Sequence, residues 1–458
     1  DEAGKMLKWK NLKRITGIAG ALYIFSVIIN GLNYIYVSPE DFEWERVLWH
    51  NFYEDKGKID NLYLGSSHVF CGINPVLLDE LNGCYNFNLA SSAQSMNGTY
   101  FLLKEADRNN TLADVYVELY YYCSVKDNFN SNTDRIDTIP ERNWANTDYM
   151  RPSFTKLQYM HSIADVEQYI NICLPFSRYR AKLDDWEYIK QTISGKGQES
   201  YLNYEHHIDY GDGNGYEEYW RKGFFYCTRV FSDEQRTYPQ KRILDEDPLG
   251  DKSEKYLRKT ISYCIKRDIP IVLFVAPMDE LELISTEHYD NYVNQIREIA
   301  DEYGIEFYDF NLVKEKYLPI HNGDYFMDSM HLNVTGANMF TVFFDKIMSE
   351  DAAENSKYFY ESYDEKLQDL PPAVYGLYYR DLITAEGKEA KNFHVASNRK
   401  KDMEYRIVLT PNDGEQYMVQ DFTENKEFFV DSTENGICTI VSRTRNNPDE
   451  VKTLEVYY

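Results

Sequence analysis

The sequence is short of positive charge and of clustered cysteine, and each shortage excludes a class of protein. Its 458 residues carry 49 Lys and Arg against 75 Asp and Glu, a net charge of −26. Such an acidic surface repels phosphate backbones, so we expect no nucleic-acid partner. The seven cysteines are scattered, with no C-x-x-C and no Cys/His cluster at zinc spacing, and they predict no disulfide framework.

Candidate metal ligands are also few. His206 and His207 are adjacent, which would put them on opposite faces of a strand. The acidic, glycine-rich run 209–215 does not match the spacing of an EF-hand loop. We therefore predict neither a metal nor a cofactor. Hydrophobic and charged fractions of 43% and 27% are ordinary for globular proteins and exclude wholesale disorder, and the length suggests about three domains.

The first feature that is present is an uncharged run over residues 15–37, long enough to cross a bilayer as a helix. Acidic residues follow it, and basic residues precede it at Lys5, Lys8, Lys10, Lys13 and Arg14. This charge asymmetry predicts a single-pass membrane anchor with residues 1–14 in the cytoplasm, a linker over 38–58 and the remainder outside. A cleaved signal peptide would have a shorter apolar region and a small-residue cleavage site, and a buried core helix is the other alternative.

Strand and helix patterns alternate between residues 59 and 350, which predicts an α/β domain with a parallel sheet covered on both sides. An irregular insertion interrupts the pattern over about 127–250. Residues 357–458 hold about seven short alternating runs separated by turn residues, which predict a C-terminal β-sandwich. The strands predicted for the α/β domain are 59–65, 84–90, 114–121, 270–276 and 306–310.

Two short motifs carry the chemistry. Gly65-Ser66-Ser67 follows the first predicted strand, so the Ser67 hydroxyl would be exposed where parallel sheets bind ligands. Far downstream, Asp328 precedes His331 by three residues, just before the last helix of the α/β domain. That spacing lets the carboxylate orient the imidazole while the other ring nitrogen faces a serine. The pattern predicts a Ser67–His331–Asp328 triad.

These motifs resemble those of the SGNH/GDSL hydrolase superfamily, which implies a flavodoxin-like sheet and a serine nucleophile. Gly65-Ser66-Ser67 matches its first block, with Ser66 in place of the usual aspartate. Asn88–Gln94 is similar to the second block, which implies that the backbone N–H groups of Ala93 and Ser67 form the oxyanion hole. Tyr120-Tyr121-Tyr122 stands where the third block normally has an asparagine donor. Candidate substrate-binding residues are Asn88, Gln94, His68, Tyr121 and Tyr122.

Within the superfamily, the sequence looks like the membrane-anchored branch that acylates envelope polymers by D-alanylation or O-acetylation. This resemblance implies a serine acyltransferase or esterase with a cell-envelope glycopolymer as acceptor and a membrane-bound O-acyltransferase as candidate partner. Two alternatives stay open: a catalytically weak glycan-binding or scaffold protein, and a plain extracellular carbohydrate esterase.

Overall fold

A computed structural model of the chain describes residues 2–41, 43–125, 139–164, 168–204, 216–240, 242–320, 323–383, 387–399, 401–431 and 434–458. By internal packing the chain forms two compact units. The first combines Asp1–Glu54 with Asn128–His206, and the second combines Asp55–Asp127 with His207–Tyr458. The segment 127–250 is therefore divided between the two units.

The α-helices in the described ranges are, in chain order, α1 (Glu2–Tyr36), α2 (Glu43–Glu54), α3 (Ser67–Gly72), α4 (Pro75–Asn82), α5 (Met96–Asn109), α6 (Tyr121–Ser124), α7 (Ile139–Tyr149), α8 (Phe154–Ile163), α9 (Tyr169–Cys173), α10 (Trp186–Lys196), α11 (Glu199–Leu202), α12 (Asp251–Lys266), α13 (Glu280–Ile284), α14 (Tyr289–Tyr303), α15 (Val334–Ser349), α16 (Ala352–Asn355) and α17 (Tyr363–Asp369). Short 3₁₀ helices are formed by Pro175–Lys182, Asp233–Gln235, Phe310–Leu312, Gly323–Tyr325 and Ser356–Tyr358.

The strands are, in chain order, β1 (Asn61–Leu64), β2 (Asn86–Asn88), β3 (Asp114–Glu118), β4 (Glu217–Tyr219), β5 (Phe225–Cys227), β6 (Thr237–Pro239), β7 (Arg242–Ile243), β8 (Ile271–Val275), β9 (Thr286–Glu287), β10 (Glu306–Asp309), β11 (Val374–Ile383), β12 (Glu389–Ser397), β13 (Met403–Pro411), β14 (Tyr417–Thr423), β15 (Glu427–Asp431), β16 (Gly436–Thr444) and β17 (Asn447–Tyr457).

The second unit is built on a five-stranded sheet in the order β10-β8-β3-β1-β2, and all of its strands are parallel. Each strand falls within a segment predicted as a strand, so the predicted mixed α/β architecture with a parallel sheet is confirmed. Because β1 lies between β2 and β3, the carboxyl ends of these three strands meet at one edge. The sequence motifs of the candidate site follow those ends.

Aromatic packing holds the last helix of this layer against the sheet. One face of α15 is apolar and buried, and its Phe344 ring packs edge-on against Phe274 of β8 and Tyr116 of β3. Tyr63 of β1 stacks on Tyr116 with ring centroids 4.8 Å apart. Burial of such large rings is a main source of stability for a layered fold, and here it holds α15 against the sheet.

The C-terminal strands form two four-stranded sheets, β15-β12-β11-β6 and β14-β13-β16-β17. Their pairings are antiparallel, except that β6 joins β11 in parallel. Leu377 and Phe393 of the first sheet and Ile407 and Ile440 of the second belong to one buried hydrophobic cluster. The predicted antiparallel strands are confirmed, and β6 adds a strand that the sequence pattern did not indicate.

The first unit contains the long N-terminal helix and the helices α2 and α7–α11. Within α1, residues Arg14–Tyr36 are long and apolar enough to span a membrane. The helix α2 is tied to α7 by a hydrogen bond of 3.0 Å from the indole nitrogen of Trp49 to Asn146. Arg178 donates two hydrogen bonds to the carboxylate of Asp148 at 2.7 and 2.8 Å. Residues 139–204 therefore pack with the N-terminal helices.

Candidate active site

Gly65 connects the end of β1 to the helix that begins at Ser67. An added Cβ at Gly65 would lie 2.6 Å from both the Cβ of Glu118 and a methyl of Val69. Glycine has no side chain, so β1 and β3 can approach closely here and the chain can turn directly into α3. Ser66 is the N-cap of that helix and accepts a hydrogen bond from the N–H of His68. This turn places Ser67 at the carboxyl edge of the sheet.

Asp328 organises the loop before α15. One of its oxygens accepts hydrogen bonds from the backbone N–H groups of Met330 and His331, at 2.7 and 2.8 Å. The loop is closed by a bond of 2.9 Å from the N–H of Met327 to the carbonyl of His331. Asn333 caps α15 by accepting two backbone N–H groups. The imidazole of His331 is thus held over the carboxylate of Asp328.

The three residues of the predicted triad lie together. His331 Nδ1 is 2.9 Å from the nearer carboxylate oxygen of Asp328, and His331 Nε2 is 2.7 Å from the Ser67 hydroxyl. Burial alone would raise the pKa of Asp328, but the charge and hydrogen bond of His331 and the two backbone N–H groups outweigh it and lower that pKa. A carboxylate that stays ionised can orient an imidazole and stabilise its protonated form.

Ala93 adopts a left-handed backbone conformation with φ of 49°, which is uncommon for a residue with a side chain. Its loop is bonded to the turn that follows β1, because the N–H of Ser91 donates to the carbonyl of Gly65 at 3.3 Å. Within the described ranges, no hydrogen bond uses the backbone N–H of Ser67 or of Ala93. Both groups are therefore available as hydrogen-bond donors.

Two predicted substrate-binding side chains are engaged inside the fold. The amide of Asn88 donates to the carbonyl of Val69 at 2.9 Å and accepts from the N–H of Ala90. The amide of Gln94 bonds to the hydroxyls of Ser91 and Thr99 and is buried. These contacts hold α3 and the Ala93 loop in place. The predicted contact of Asn88 and Gln94 with a substrate stays a prediction.

The three consecutive tyrosines have different surroundings. Tyr121 is fully buried and donates to the carboxylate of Glu282 at 2.6 Å. Glu282 also accepts from Ser329, a residue of the Asp328–His331 loop, at 3.0 Å. Tyr122 is half-exposed, and the guanidinium carbon of Arg242 lies 4.8 Å from its ring centroid. Tyr121 thus supports the Asp328–His331 loop, whereas Tyr122 is partly exposed and stacks with Tyr120.

His68 is buried next to the triad. Its ring stacks on Tyr120 with centroids 4.0 Å apart and lies 5.1 Å from the ring of His331. Neither ring nitrogen has a hydrogen-bond partner within the described ranges. Burial, with a smaller contribution from the charge of His331, holds the pKa of His68 well below its usual value, so its ring is neutral.

Glu118, at the end of β3, is a site residue that the sequence analysis missed. One of its oxygens accepts the N–H and the hydroxyl of Ser66 at 2.9 and 3.0 Å, while the other is buried with no partner among the described residues. Burial raises the pKa of Glu118 to about 7, although the bonds from Ser66 act against the rise. The available signal was an acidic residue at the carboxyl end of the strand, directly after the apolar and aromatic residues Val115, Tyr116 and Val117.

In the part of the chain that is described, no group of three or more His, Cys, Asp or Glu side chains could hold a metal ion. His206, His207 and the run 209–215 lie outside the described residues. Compared with known proteins, the chain matches no protein-family model and no curated protein sequence. The case for a function therefore rests on the geometry around Ser67.

Proposed function

We propose that this protein is an SGNH-type serine acyltransferase or esterase that acylates a cell-envelope glycopolymer. The observation that carries the proposal is the position of His331, which bridges the Ser67 hydroxyl at 2.7 Å and the Asp328 carboxylate at 2.9 Å. The turn at Gly65 and the loop of Ala93 supply the rest of an acyl-transfer site. No metal or cofactor is needed for this chemistry.

The reaction would proceed in two halves through an acyl-enzyme. His331 Nε2 takes the proton of Ser67 as the hydroxyl oxygen attacks the acyl carbonyl, and Asp328 stabilises the imidazolium that forms. The backbone N–H groups of Ser67 and Ala93 would bind the oxyanion, and the imidazolium returns its proton to the leaving group. An acceptor hydroxyl, or water, then gives its proton to His331 as it attacks the acyl-enzyme carbonyl. The imidazolium returns this proton to the Ser67 oxygen as the bond between Ser67 and the acyl carbon breaks, which releases the ester or acid.

Cellular placement and the finer description of the fold belong to the same proposal. The apolar helix Arg14–Tyr36 would anchor the chain in the cell membrane, with the N-terminus in the cytoplasm and both β-containing parts outside, because lysines precede the helix. The parallel sheet would be of the flavodoxin-like SGNH type, and the two C-terminal sheets would form a β-sandwich. A membrane-bound O-acyltransferase is the partner that could deliver the acyl group.

The decisive experiment asks whether Ser67 is an activated nucleophile. We expect Ser67→Ala to abolish labelling by a fluorophosphonate probe while circular dichroism and the melting temperature are unchanged, because only a hydroxyl is removed. Ser92→Ala, a serine of the neighbouring Ala93 loop, is the matched control and should label normally. Equal labelling of Ser67→Ala and the wild type would contradict the proposal.

Tyr122 and Arg242 favour transfer to a saccharide over hydrolysis of a small ester. A half-exposed aromatic ring can stack on a sugar face, and the neighbouring cation can hold a polar or anionic substituent. We therefore expect slow turnover of p-nitrophenyl acetate by the intact protein and loss of acyl groups from an envelope polymer when the gene is deleted. Fast hydrolysis with an unchanged polymer would support the plain esterase, and no turnover with an unlabelled Ser67 would support the binding or scaffold alternative.

A further inference from the structure

The last turn of α1 is held by other helices of its own unit. We use the name collar for residues 175–196, which comprise the 3₁₀ helix Pro175–Lys182 and α10. The side-chain oxygen of Asn33 accepts the backbone N–H of Phe176 at 3.0 Å. The hydroxyl of Tyr188 donates to the carbonyl of Tyr36 at 2.7 Å. The collar therefore binds the end of the long apolar helix from two of its segments.

Lys196 adds a charged contact at the same place. Its ammonium group donates to the carbonyls of Asn33 and Tyr34, at 3.1 and 2.8 Å. Carbonyls near the end of a helix lack partners within the helix, and a cation there also interacts favourably with the helix dipole. Lys196 itself is buried, and burial lowers its pKa to about 8. A lysine buried in this way fixes the collar at one height along α1.

That height corresponds to the surface of a bilayer. The apolar stretch Arg14–Tyr36 has 23 residues, so as a helix it is about 35 Å long. The hydrocarbon core of a membrane is about 30 Å thick. With Arg14 at one surface, the turn that contains Asn33 and Tyr36 emerges into the headgroup layer on the other side. The collar must lie at the same level, because it is bonded to that turn.

The collar also presents apolar side chains outward. Ile189, Thr192 and Lys196 form the buried face of α10. Trp186 and Ile193 lie seven residues apart on another face, and the Trp186 side chain is 74% exposed. Leu183, whose carbonyl accepts the hydroxyl of Tyr36, is also exposed. Large apolar groups left open beside a membrane-spanning helix indicate a surface that is covered in the membrane.

The composition of this surface fits lipid. Tryptophan prefers the boundary between headgroups and acyl chains, where its ring is buried and its N–H stays wet. Basic and acidic side chains are both exposed around the apolar ones, the acidic ones being Asp184 and Glu187, and the long basic side chains can extend their charges toward the headgroups. These basic residues are Arg180, Lys182 and Lys190.

We propose that the collar lies in the headgroup layer of the membrane that α1 spans, with Leu183, Trp186 and Ile193 in contact with the upper part of the acyl chains. Lipid covers this surface because the contacts of Asn33 and Lys196 carry the collar to that depth whenever α1 inserts. The membrane attachment then combines a spanning helix with an interfacial one, which restricts the tilt and rotation of the anchor. The proposal rests on membrane insertion of α1 and not on the acyl-transfer chemistry.

Depth-dependent fluorescence quenching tests the proposal on the full chain. We would reconstitute Trp186→Cys in vesicles of phosphatidylcholine and phosphatidylglycerol, with Cys84 and Cys173 changed to serine, and attach an environment-sensitive fluorophore at position 186. Two sets of quenching lipids would be compared, one with a nitroxide near the top of the acyl chain and one with a nitroxide near its end. Two labelled controls use the same background: Ile24→Cys within the span, and Phe429→Cys at an exposed position of β15.

We expect the label at position 186 to be quenched mainly by the shallow nitroxide and the label at position 24 mainly by the deep one, with negligible quenching at position 429. A label at 186 that behaves like the label at 429, while 24 is quenched, would overturn the proposal and leave the anchor intact. Absence of quenching at position 24 would contradict the membrane insertion of α1 and, with it, the proposal for the collar. The label at position 186 could instead be shielded from both lipid and water, and only when a membrane-bound O-acyltransferase is added. This result would also overturn the proposal, because the surface would then bind protein.

Discussion

The loop of Asp328 and His331 and the turn of Ser66 and His68 lie on either side of the Ser67 hydroxyl, but they differ in how their buried polar groups are bonded. Asp328 uses both oxygens, with two backbone N–H groups and the His331 ring as donors. On the other side, one oxygen of Glu118 and both ring nitrogens of His68 have no partner in the described part of the chain.

The two carboxylates show what this difference does. Glu118 is fully buried and Asp328 only partly, and the pKa of Asp328 is lowered whereas that of Glu118 is raised to about 7. Hydrogen bonds and the interaction with His331 outweigh burial in the first case, and burial prevails in the second. Asp328 therefore stays ionised at ordinary pH values. Glu118 and His68, by contrast, have buried polar atoms without a hydrogen-bond partner in the described part of the chain, and each such group lowers the free energy of unfolding by about 1–3 kcal/mol. Such costs are commonly found at functional sites.

Asp328→Asn should produce the largest effect and tests the charged side of the comparison. The amide keeps the shape of the carboxylate but cannot stabilise an imidazolium, so we expect the rate of Ser67 labelling by a fluorophosphonate to fall roughly 10⁴-fold. The second-order inactivation rate constant measures this. Asp324→Asn, on the exposed 3₁₀ helix before the loop, should react at the wild-type rate. A fall of less than tenfold for Asp328→Asn would mean that the charge of this carboxylate is not used.

Glu118→Gln tests the other carboxylate through the pH dependence of stability. An unfolded glutamate has a pKa of about 4.5, and the folded value is about 7, so the folded state binds more protons between these values. Stability contributed by the neutral acid is present below pH 4.5 and is lost as the pH rises toward 7 and above. Glutamine does not titrate. We therefore expect the free energy of unfolding of Glu118→Gln, relative to wild type, to rise by about 2–3 kcal/mol between pH 5 and pH 8.

Urea unfolding at the two pH values measures this difference. Glu298→Gln, at an exposed position of α14, is the control and should show the same pH dependence as the wild type. If Glu118→Gln has the same relative stability at pH 5 and pH 8, Glu118 is not a neutral acid at low pH, and the contrast with Asp328 disappears.

The sequence predicted the layout of the site better than its interior. Ser67 and His331 follow the period of strands and helices, so their positions at one edge of a parallel sheet could be inferred from order alone. Glu118 could not be placed, because no local pattern indicates that its carboxylate accepts the N–H and hydroxyl of Ser66, which lies 52 residues earlier. The partners Tyr121 and Glu282 are 161 residues apart, and no local pattern indicates such a pair. Likewise, the three-residue β6 joins the C-terminal sheet only through tertiary pairing with β11.

The smallest expected effect, and the one that best sharpens the comparison, is that of His68→Phe. Phenylalanine can keep the stacking on Tyr120, and it removes two buried nitrogens that have no partner. Replacing an unsatisfied polar group by an apolar one of similar shape is neutral or stabilising, so we expect an increase of about 1 kcal/mol in the free energy of unfolding. Chemical denaturation at pH 8, where His68 and its unfolded counterpart are both neutral, measures it.

His394 provides the matched control for this last substitution, since it also stacks on a tyrosine, Tyr378, but its ring is bonded to the amide of Asn392 at 3.2 Å. His394→Phe removes a hydrogen bond that is made, and it should therefore decrease the stability by about 1 kcal/mol. Opposite signs for the two histidines would establish that His68 is retained at a cost to the fold. If His68→Phe is more stable but its Ser67 reacts more slowly with the fluorophosphonate, the unpartnered ring nitrogens of His68 destabilise the fold but support the reactivity of Ser67. A destabilised His68→Phe would show instead that the ring nitrogens are satisfied, for example by a buried water, and that the turn of Ser66 is as fully bonded as the loop of Asp328.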